Sequence, residues 1–327
     1  MYRSIVVPLD GSPFAEQAIA VALAIAEDSG AKVTFTRAWN PASYRYTSEL
    51  TPPFLAPGAN ERLEATQYLS DLVSRLRSST TTTIDMAVLA GSPVEAINEY
   101  LTSNGADLVV MSTHGLTGWS RAWIGSVADA LIRVASIPIL LCRPQETEST
   151  LAAGGFKCVL IPLDGSSEAE QILQHVADIG ASGVDRFVLL RVERPVRLPM
   201  HPYVYAGGAF ETDPVATDEA VTHARDYLTK TAAWLSARCP RATTEVDVRV
   251  ADQLGGAIVD AAKEYGADLV ALTTHARRGV RLVLGSVADK VLRGTQGSLL
   301  VLRPSAEVET ADRDDGAAAN RIAGVVF

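Results

Sequence analysis

The chain of 327 residues is 47% hydrophobic and 20% charged, and its formal net charge is −9. The length predicts two domains of ordinary size, and the hydrophobic content is sufficient for a globular core in each. The acidic balance argues against sequence-independent binding to nucleic acid, which requires a basic surface.

The first residues and the apolar runs show no sign of export or of a membrane anchor. Residues 1–8 start a strand at once, without the layout of a signal peptide. The longest helical apolar run, 18–26, is too short to span a bilayer. We therefore expect a cytoplasmic protein without a membrane partner.

None of the three cysteines belongs to a Cys-x-x-Cys pair. The sequence therefore contains neither a zinc ribbon nor a thioredoxin-type motif, and we predict no metal site. Cys142 and Cys158 lie in apolar, strand-like runs, where buried reduced thiols are expected.

Short apolar segments alternate with helical segments through the first half of the chain. A β-branched run predicts the first strand, and Ser12-Pro13 is typical of the helix start that follows. A later helix is predicted to bury Leu63, Tyr68, Leu69 and Leu72. The predicted strands cover 5–9, 33–39, 84–89, 105–111 and 137–142, the predicted helices 13–29, 61–76, 93–101 and 127–132, and a long loop 40–58.

The second half of the chain repeats the first. Pro8-Leu-Asp-Gly-Ser recurs from Pro162 at an offset of 154 residues. Gly125-Ser-Val-Ala-Asp recurs from Gly285 at an offset of 160 residues. We expect one domain over 1–146, a second over 155–305 with its own long loop over 195–214, and a tail over 306–327.

The order of strands and helices predicts a parallel sheet covered on both faces. In such sheets, ligands lie beyond the carboxyl ends of the strands, at a topological switch point. Asp10 follows the first predicted strand, and the segment from Ser112 to Gly115 follows the fourth. If these two strands are neighbours, both groups face one crevice.

A glycine-containing loop joins the fourth strand to a helix that begins near Gly125-Ser126. Glycine permits positive φ and close approach of the backbone. The first amides of a helix lack internal partners and carry the positive end of its dipole, so phosphate is their usual ligand. Two other interpretations stay open, since Ser126 and Asp129 could form a capping box that only stabilises the helix, and His114 could be a hydrogen-bonding loop residue.

These motifs together resemble the universal stress protein family. Pro-Leu-Asp-Gly-Ser after the first strand, Met-Ser-Thr-His-Gly after the fourth, nine residues and then Gly-Ser-Val-Ala-Asp carry the likeness, and the doublet resembles tandem two-domain members. The resemblance implies two doubly wound α/β domains of the adenine nucleotide alpha hydrolase-like type. Each has a five-stranded parallel sheet of order 3-2-1-4-5. It also implies a pseudo-dimer in which the two fifth strands pair within the chain, and it leaves a homodimer open.

The resemblance implies an adenine nucleotide as ligand: ATP, or AMP or ADP, with an accompanying Mg²⁺ left open. Asp10 would accept hydrogen bonds from the base or the ribose. The residues that it implies around the base are Pro8, Leu9, Ala38 and Met111. Those that it implies in or beside the phosphate loop are Ser112, His114, Gly115, Gly125, Ser126 and Val127, with Asp164, Gly285 and Ser286 as counterparts in the second half.

Three positions depart from the Gly-x-x-Gly pattern of ATP-binding members. Ser112 stands at the first glycine position, where it would cost about 1 kcal/mol if the backbone required positive φ. In the second half, Thr273 and Ala276 replace both glycines, and the loop is one residue shorter. We therefore expect the second site to be weak or empty, so that each chain binds one nucleotide.

The resemblance favours a nucleotide-binding regulator of the stress response that has no catalytic residues or turns ATP over very slowly. The sequence contains no Gly-x-x-x-x-Gly-Lys-[Ser/Thr] loop, no Gly-x-Ser-x-Gly elbow and no His-Glu-x-x-His. A protein-interaction scaffold with vestigial nucleotide sites is the first alternative. A slow hydrolase that uses His114, Ser112 and Asp10 is the second.

Overall fold

The computed structural model describes residues 1–40, 57–113, 124–143, 155–181, 183–199, 210–274 and 284–304. The elements of the first half are β1 (Ser4–Pro8), α1 (Pro13–Ser29), β2 (Lys32–Trp39), α2 (Pro57–Leu76), β3 (Ile84–Ala90), α3 (Pro93–Ser103), β4 (Leu108–Ser112), α4 (Ser126–Val134) and β5 (Ile139–Cys142). Those of the second half are β6 (Cys158–Pro162), α5 (Ser167–Glu170), α6 (Ile172–Gly180), β7 (Arg186–Glu193), β8 (Arg197–Pro199), β9 (Phe210–Thr212), α7 (Pro214–Arg238), β10 (Thr243–Val250), α8 (Leu254–Glu264), β11 (Leu269–Thr273), α9 (Ser286–Gly294) and β12 (Ser298–Leu302).

One ten-stranded sheet runs through both halves in the order β10-β7-β6-β11-β12-β5-β4-β1-β2-β3. Within the first half the order is 3-2-1-4-5 and the pairings are parallel. The second half repeats this order and direction with its own strands. The predicted fold class is therefore confirmed.

The two fifth strands join the halves, as expected for a tandem repeat. β5 and β12 pair antiparallel, with Leu140 opposite Leu300 at the centre of the register. An unpaired strand edge exposes amides and carbonyls that can recruit another chain. The pairing satisfies both inner edges and relates the halves by an approximate two-fold axis.

Two arginines strengthen this joint, because each donates a hydrogen bond to a helix of the opposite half. Arg143 follows β5 and donates from Nη2 to the carbonyl of Leu292, in the last turn of α9. Arg303 follows β12 and donates from Nη1 to the carbonyl of Arg133 at 2.9 Å, in the last turn of α4. A cation at a helix C-terminus interacts favourably with the helix dipole. Each half therefore holds the final turn of a helix that belongs to the other.

Apolar layers cover both faces of the sheet. Strand side chains alternate between the faces, so that Val7 packs in the layer of α1, α2, α6 and α7, whereas Val6 packs in the layer of α3, α4, α8 and α9. Both layers continue across the joint between the halves. The carboxyl ends of the strands are thus carried on a scaffold that is packed on both sides.

The first helix forms where the sequence predicts it. Ser12 caps the N-terminus by accepting from the amide of Ala15, Pro13 occupies the first turn, and Gly30 ends the helix with φ of +69°. Its apolar residues at helical spacing, Ala18, Val21, Ala22 and Ile25, are buried against the sheet.

Helix α2 buries a different face from the predicted one at its N-terminal end. Leu69 and Leu72 are buried as predicted, but Leu63 is 66% exposed, and Ala65 and Val73 complete the buried face. At about 100° per residue, Leu63 lies on the opposite side of the helix from Leu72, which explains its exposure.

The segment predicted as a loop over 195–214 contains a short antiparallel ribbon. β8 and β9 pair there, with Leu198 opposite Glu211. Each strand has three residues, which is too short for alternation to be recognised in the sequence.

The cysteines match the prediction, since Cys142 and Cys158 are buried and free. Burial raises the pKa of the Cys142 thiol to about 12. Among the described helices, none combines the length and the apolar character needed to cross a bilayer.

Candidate functional site

The strand order on which the predicted crevice depends is present in the first half. β1 lies between β2 and β4 and runs parallel to both, with Val6 opposite Val109. Asp10 stands two residues beyond the end of β1, and Ser112 is the last residue of β4. Both strands therefore end at the same carboxyl edge, where the chain changes direction across the sheet.

The start of α4 lies next to the carboxyl end of β4. Its N-cap is Gly125, whose amide donates to the carbonyl of Thr113 at 2.8 Å and fastens the helix to the end of β4. Ser126 and Val127 are the first two helical residues, so their amides have no acceptor within the helix. Because the Gly125 amide is already bonded and the first helical bond is made by Asp129, the amides without a helical acceptor begin with those of Ser126 and Val127.

Gly125 owes its place to close packing rather than to unusual backbone angles. Its φ of −57° and ψ of 149° are accessible to any residue. A Cβ at this position would lie 3.3 Å from the carbonyl oxygen of Thr113, which is tighter than normal contact. Of the two properties of glycine considered from the sequence, Gly125 therefore does not use positive φ but does allow close packing of the backbone.

The capping-box interpretation of Ser126 and Asp129 is also wrong. Ser126 lies inside the helix at its first position, not at the N-cap. Asp129 instead accepts from Arg133 one turn later, at 3.0 Å between Oδ1 and Nη2. The exposed Ser126 hydroxyl is thus at the helix start without a capping function.

Asp10 shapes a tight turn after β1. Its Oδ1 accepts from the amide of Ser12 at 2.8 Å, and Gly11 between them has φ of +88°. Only glycine adopts such a φ without strain. The Asp-Gly-Ser sequence therefore fixes a half-exposed carboxylate at the edge of the sheet and starts α1 with the same residues.

The residues expected around the base divide between the two faces of the sheet. Met111 packs in the apolar layer of α3 and α4 together with Val6, and strand alternation places Pro8 and Ala38 on that face as well. Leu9 packs in the opposite layer and is only 4% exposed. Three of the four residues thus share one face, while the Leu9 side chain lies on the other.

Ser112 occupies its glycine-equivalent position without strain. It is the last residue of β4, in extended backbone that serine adopts readily. The penalty considered from the sequence therefore does not arise. His114, Gly115 and Ala276 lie outside the described residues.

The second half retains the backbone of both the turn after the first strand and the helix start. Gly165 has φ of +85°, and the amide of Ser166 donates to Asp164 Oδ1 at 3.0 Å, as in the first turn. Gly285 is the N-cap of α9 with φ of −60° and ψ of 148°, and Ser286 follows as the first helical residue. The differences between the halves therefore lie in side chains and in the loops before the helices.

The sequence interpretation missed a polar group that stands beside Asp10. This group, the Arg37 cluster, consists of Glu16, Arg37 and Tyr68. The Tyr68 hydroxyl donates to Glu16 Oε1 at 2.9 Å, and the Arg37 guanidinium carbon lies 5.0 Å from the centre of the Tyr68 ring. Burial and the bond to Glu16 raise the pKa of Tyr68, which keeps its hydroxyl a donor.

The repeat offset could have revealed two members of the cluster. Glu16 recurs as Glu170 and Arg37 as Arg191, both at the offset of 154 residues that relates the Asp-Gly-Ser turns. Neither residue type is unusual on a helix or a strand, so only the shared offset marks them.

Comparison with known proteins agrees with this architecture. The model of the universal stress protein family matches residues 1–143 and 155–303. The chain belongs to the universal stress protein family. Its two matched segments coincide with the two repeats of the sheet, which makes it a tandem universal stress protein.

Curated relatives correspond to one repeat each. A universal stress protein from Thermus aquaticus is 32% identical over 146 residues, which are 44% of this chain and 100% of the relative. One from Methanocaldococcus jannaschii is 30% identical over 156 residues, 45% of this chain and 86% of the relative.

Solved tandem structures match both repeats of this universal stress protein at once. A putative universal stress protein from Pseudomonas aeruginosa superposes with a TM-score of 0.65 at 16% identity, covering 96% of this chain and 98% of the other. One from Archaeoglobus fulgidus gives 0.64 at 15% identity, covering 92% and 98%. These likenesses show the fold alone. A universal stress protein solved in complex with cAMP is 25% identical over 44% of this chain, with a TM-score of 0.33.

Proposed function

We propose that the first half binds an adenine nucleotide in the crevice between Asp10 and the start of α4. The observation that supports the proposal is the parallel pairing of β1 with β4, which brings the ends of both strands to one sheet edge, and we propose that two complementary walls form there. A carboxylate able to accept from a base or a ribose stands on one side. The amides of Ser126 and Val127 and the Ser126 hydroxyl, all able to donate to phosphate, stand on the other.

The energetic requirement is modest for such a site. Micromolar affinity corresponds to about 8 kcal/mol. Hydrogen bonds to a charged group contribute about 1.5–3 kcal/mol each. Three or four donors at the phosphates, together with contacts around the base, are therefore sufficient even after the loss of ligand freedom.

We assign the remaining contacts by their place around the crevice. Pro8, Ala38 and Met111 would bracket the base from one face of the sheet, and Leu9 would contribute its backbone. Gly125 would allow close approach of the phosphates, with Ser112, His114 and Gly115 as further contacts. We propose ATP as the ligand, and the binding test compares it with AMP and ADP, each with and without Mg²⁺.

We further infer that the nucleotide serves regulation rather than turnover. A ligand that binds only the folded state stabilises it by mass action, which is enough to couple nucleotide level to stability. Phosphate release faster than about 1 per second, near the low end of ordinary enzyme rates, would contradict this.

We place this function in the cytoplasm. We propose domains over 1–146 and 155–305, with 306–327 as a tail. Since β5 and β12 pair with each other, a homodimer would use another surface.

The decisive test replaces the helix N-cap in one half at a time. In the full chain, Gly125→Glu places a carboxylate where phosphate would lie, and isothermal titration should show that ATP binding is lost. Gly285→Glu is the matched control, since Gly285 has nearly the same backbone angles, and it should leave ATP binding in place. If a folded Gly125→Glu variant keeps the wild-type affinity, the site is misplaced.

A protein-interaction scaffold with vestigial sites is the second candidate, and one observation in the second half favours it. Asp164 Oδ1 accepts from both the amide and the hydroxyl of Ser166, at 3.0 and 2.6 Å, so part of its capacity for a ligand is already used. Mass spectrometry of small molecules released from heat-denatured protein separates the two functions. A nucleotide recovered with the protein supports binding, and its absence together with a flat ATP titration supports the scaffold.

A further inference from the structure

The Arg37 cluster lies directly against the turn that carries Asp10. A Cβ added to Gly11 would lie 3.0 Å from Arg37 Nη1, 3.2 Å from Cζ and 3.3 Å from Nη2. Three atoms of one guanidinium at nearly equal distance mean that its plane lies flat against the α-carbon of Gly11. The turn between Asp10 and Ser12 therefore rests on the guanidinium.

Arg37 is in turn held from the side of the helices. Its guanidinium carbon lies 5.0 Å from the centre of the Tyr68 ring, and the Tyr68 hydroxyl donates to Glu16. Glu16 also pairs with Arg75, at 3.4 Å between Oε2 and Nη2. A planar cation stacked on an aromatic ring has few alternative positions. The chain of contacts thus runs from α2 through α1 to the turn.

The second half contains the same arrangement with one change. The Arg191 guanidinium carbon lies 5.5 Å from the centre of the Tyr227 ring, and the group packs against Gly165. Arg191 Nε, however, donates to Glu193 Oε1 at 2.5 Å. The position equivalent to Glu193 in the first half is Trp39.

The two arginines therefore differ in charge balance. Within the described ranges, Arg37 has no ion pair, whereas Arg191 is paired with a carboxylate on its own strand. An unpaired guanidinium attracts the carboxylate of the turn above it, and a paired one does so less. In the second half, Asp164 accepts the hydroxyl of its own neighbour Ser166 instead.

We propose that Arg37 is the positioning residue of the base-binding wall: it supports the Asp10–Gly11 turn so that Asp10 meets the base or the ribose. In the second half, Arg191 packs against the turn in the same way, but its pairing with Glu193 weakens its attraction for Asp164. This inference rests on the proposed nucleotide site, because the turn has no other assigned ligand. It adds a determinant of adenine recognition that is separate from the phosphate-binding helix start.

The test compares ATP, GTP and inorganic tripolyphosphate on the full-length protein by isothermal titration. Arg37→Gln should lower ATP affinity by about tenfold or more, corresponding to the loss of one well-placed polar contact, and should reduce the preference for ATP over GTP. Tripolyphosphate affinity should stay within about twofold, since the helix start is untouched. Arg191→Gln is the matched control and should change none of these affinities.

A charge-only pair keeps the proposal falsifiable if Arg37→Gln fails to fold. Trp39→Glu introduces a carboxylate at the position equivalent to Glu193. Trp39→Gln introduces a side chain of the same size as glutamate but without its charge. The ATP affinity of Trp39→Glu should be several-fold lower than that of Trp39→Gln. Equal affinities would overturn the proposal, as would a fall in tripolyphosphate affinity that matches the fall for ATP.

Amide hydrogen exchange of the ligand-free protein separates failure of this inference from failure of the proposed function. Arg37→Gln should increase exchange at Ser12, whose amide makes the turn bond to Asp10. Unchanged exchange would show that Arg37 does not support the turn. If the wild type binds no adenine nucleotide, the proposed function fails, and the exchange result still decides whether the turn depends on Arg37.

Discussion

The two halves of the chain build the same turn after their first strand but surround it with different charges. Ser12 and Ser166 share φ of −82° and ψ of 150°, and the glycines before them have φ of +88° and +85°. The guanidinium beneath the first turn has no ion pair within the described ranges, whereas the one beneath the second is paired with Glu193. Both halves therefore share the Asp-Gly-Ser sequence and its turn geometry, while the charges around the turn have diverged.

The starts of α4 and α9 are also alike in backbone geometry but follow different loop sequences. Gly125 and Gly285 have nearly identical backbone angles, and each precedes an exposed serine at the first helical position. The loops that lead to these helices differ in length by one residue and in their glycines. Equal helix starts therefore do not imply equal sites.

The largest effect on stability is expected at Arg143 and Arg303, each of which bonds a helix of the opposite half. Substitutions there test whether the two halves contribute equally to their joint. Arg143 is 8% exposed and its guanidinium reaches Leu292, whereas Arg303 is half-buried and bonds Arg133. Arg143→Met should lower the free energy of unfolding by about 1.5–3 kcal/mol, since a buried carbonyl loses a charged donor. Urea denaturation measures the change.

Arg303→Met is the control for this prediction. It removes the equivalent bond at a more exposed position, so its effect should be smaller than that of Arg143→Met. A larger loss for Arg303→Met would show that the exposed contact, not the buried one, holds the halves together.

A smaller effect is expected from alanine at the turn glycines. Left-handed backbone costs a residue with a Cβ about 1–2 kcal/mol, so Gly11→Ala, Gly165→Ala and Gly30→Ala should all reduce stability. A Cβ added to Gly30, which has φ of +69°, would meet nothing within 4 Å, so this position isolates the backbone cost. Gly165→Ala should destabilise most, because its Cβ would lie 2.5 Å from Arg191 Nη1, compared with 3.0 Å from Arg37 Nη1 at Gly11.

Thermal unfolding ranks the three variants, and ATP titration adds the functional comparison. Gly11→Ala should also weaken ATP binding, whereas Gly165→Ala and Gly30→Ala should not. Equal unfolding temperatures for Gly165→Ala and Gly30→Ala would mean that Arg191 moves aside freely, against the tether to Glu193.

Much of the fold could be predicted because its signals are local and repeated. The alternating elements, the Asp-Gly-Ser turn and the offsets of 154 and 160 residues together indicate two parallel α/β repeats. The strand order itself came from the family resemblance, not from the periodicity. Elements of three residues, such as β8 and β9, carry no such signal.

The candidate site was only partly predictable, because side-chain direction and hydrogen-bond partners are tertiary facts. The sequence could not show that Asp129 turns to Arg133 instead of the helix start, or that the Gly125 amide bonds Thr113. It also could not show that Leu9 faces away from Pro8 and Met111 across the sheet until the strand phase was known. The sequence could not show the stacking of Arg37 on Tyr68 either, because Tyr68 lies on a helix that follows Arg37 by many residues.

The number of nucleotides bound per chain tests the central claim most directly. Losing two hydrogen bonds to charged phosphate in the second half would remove about 3–6 kcal/mol, which is about a hundredfold to ten-thousandfold in affinity. Isothermal titration of the full-length protein with ATP should therefore give one site per chain, which Gly125→Glu removes and Gly285→Glu leaves intact. Two sites of equal affinity per chain would contradict the account.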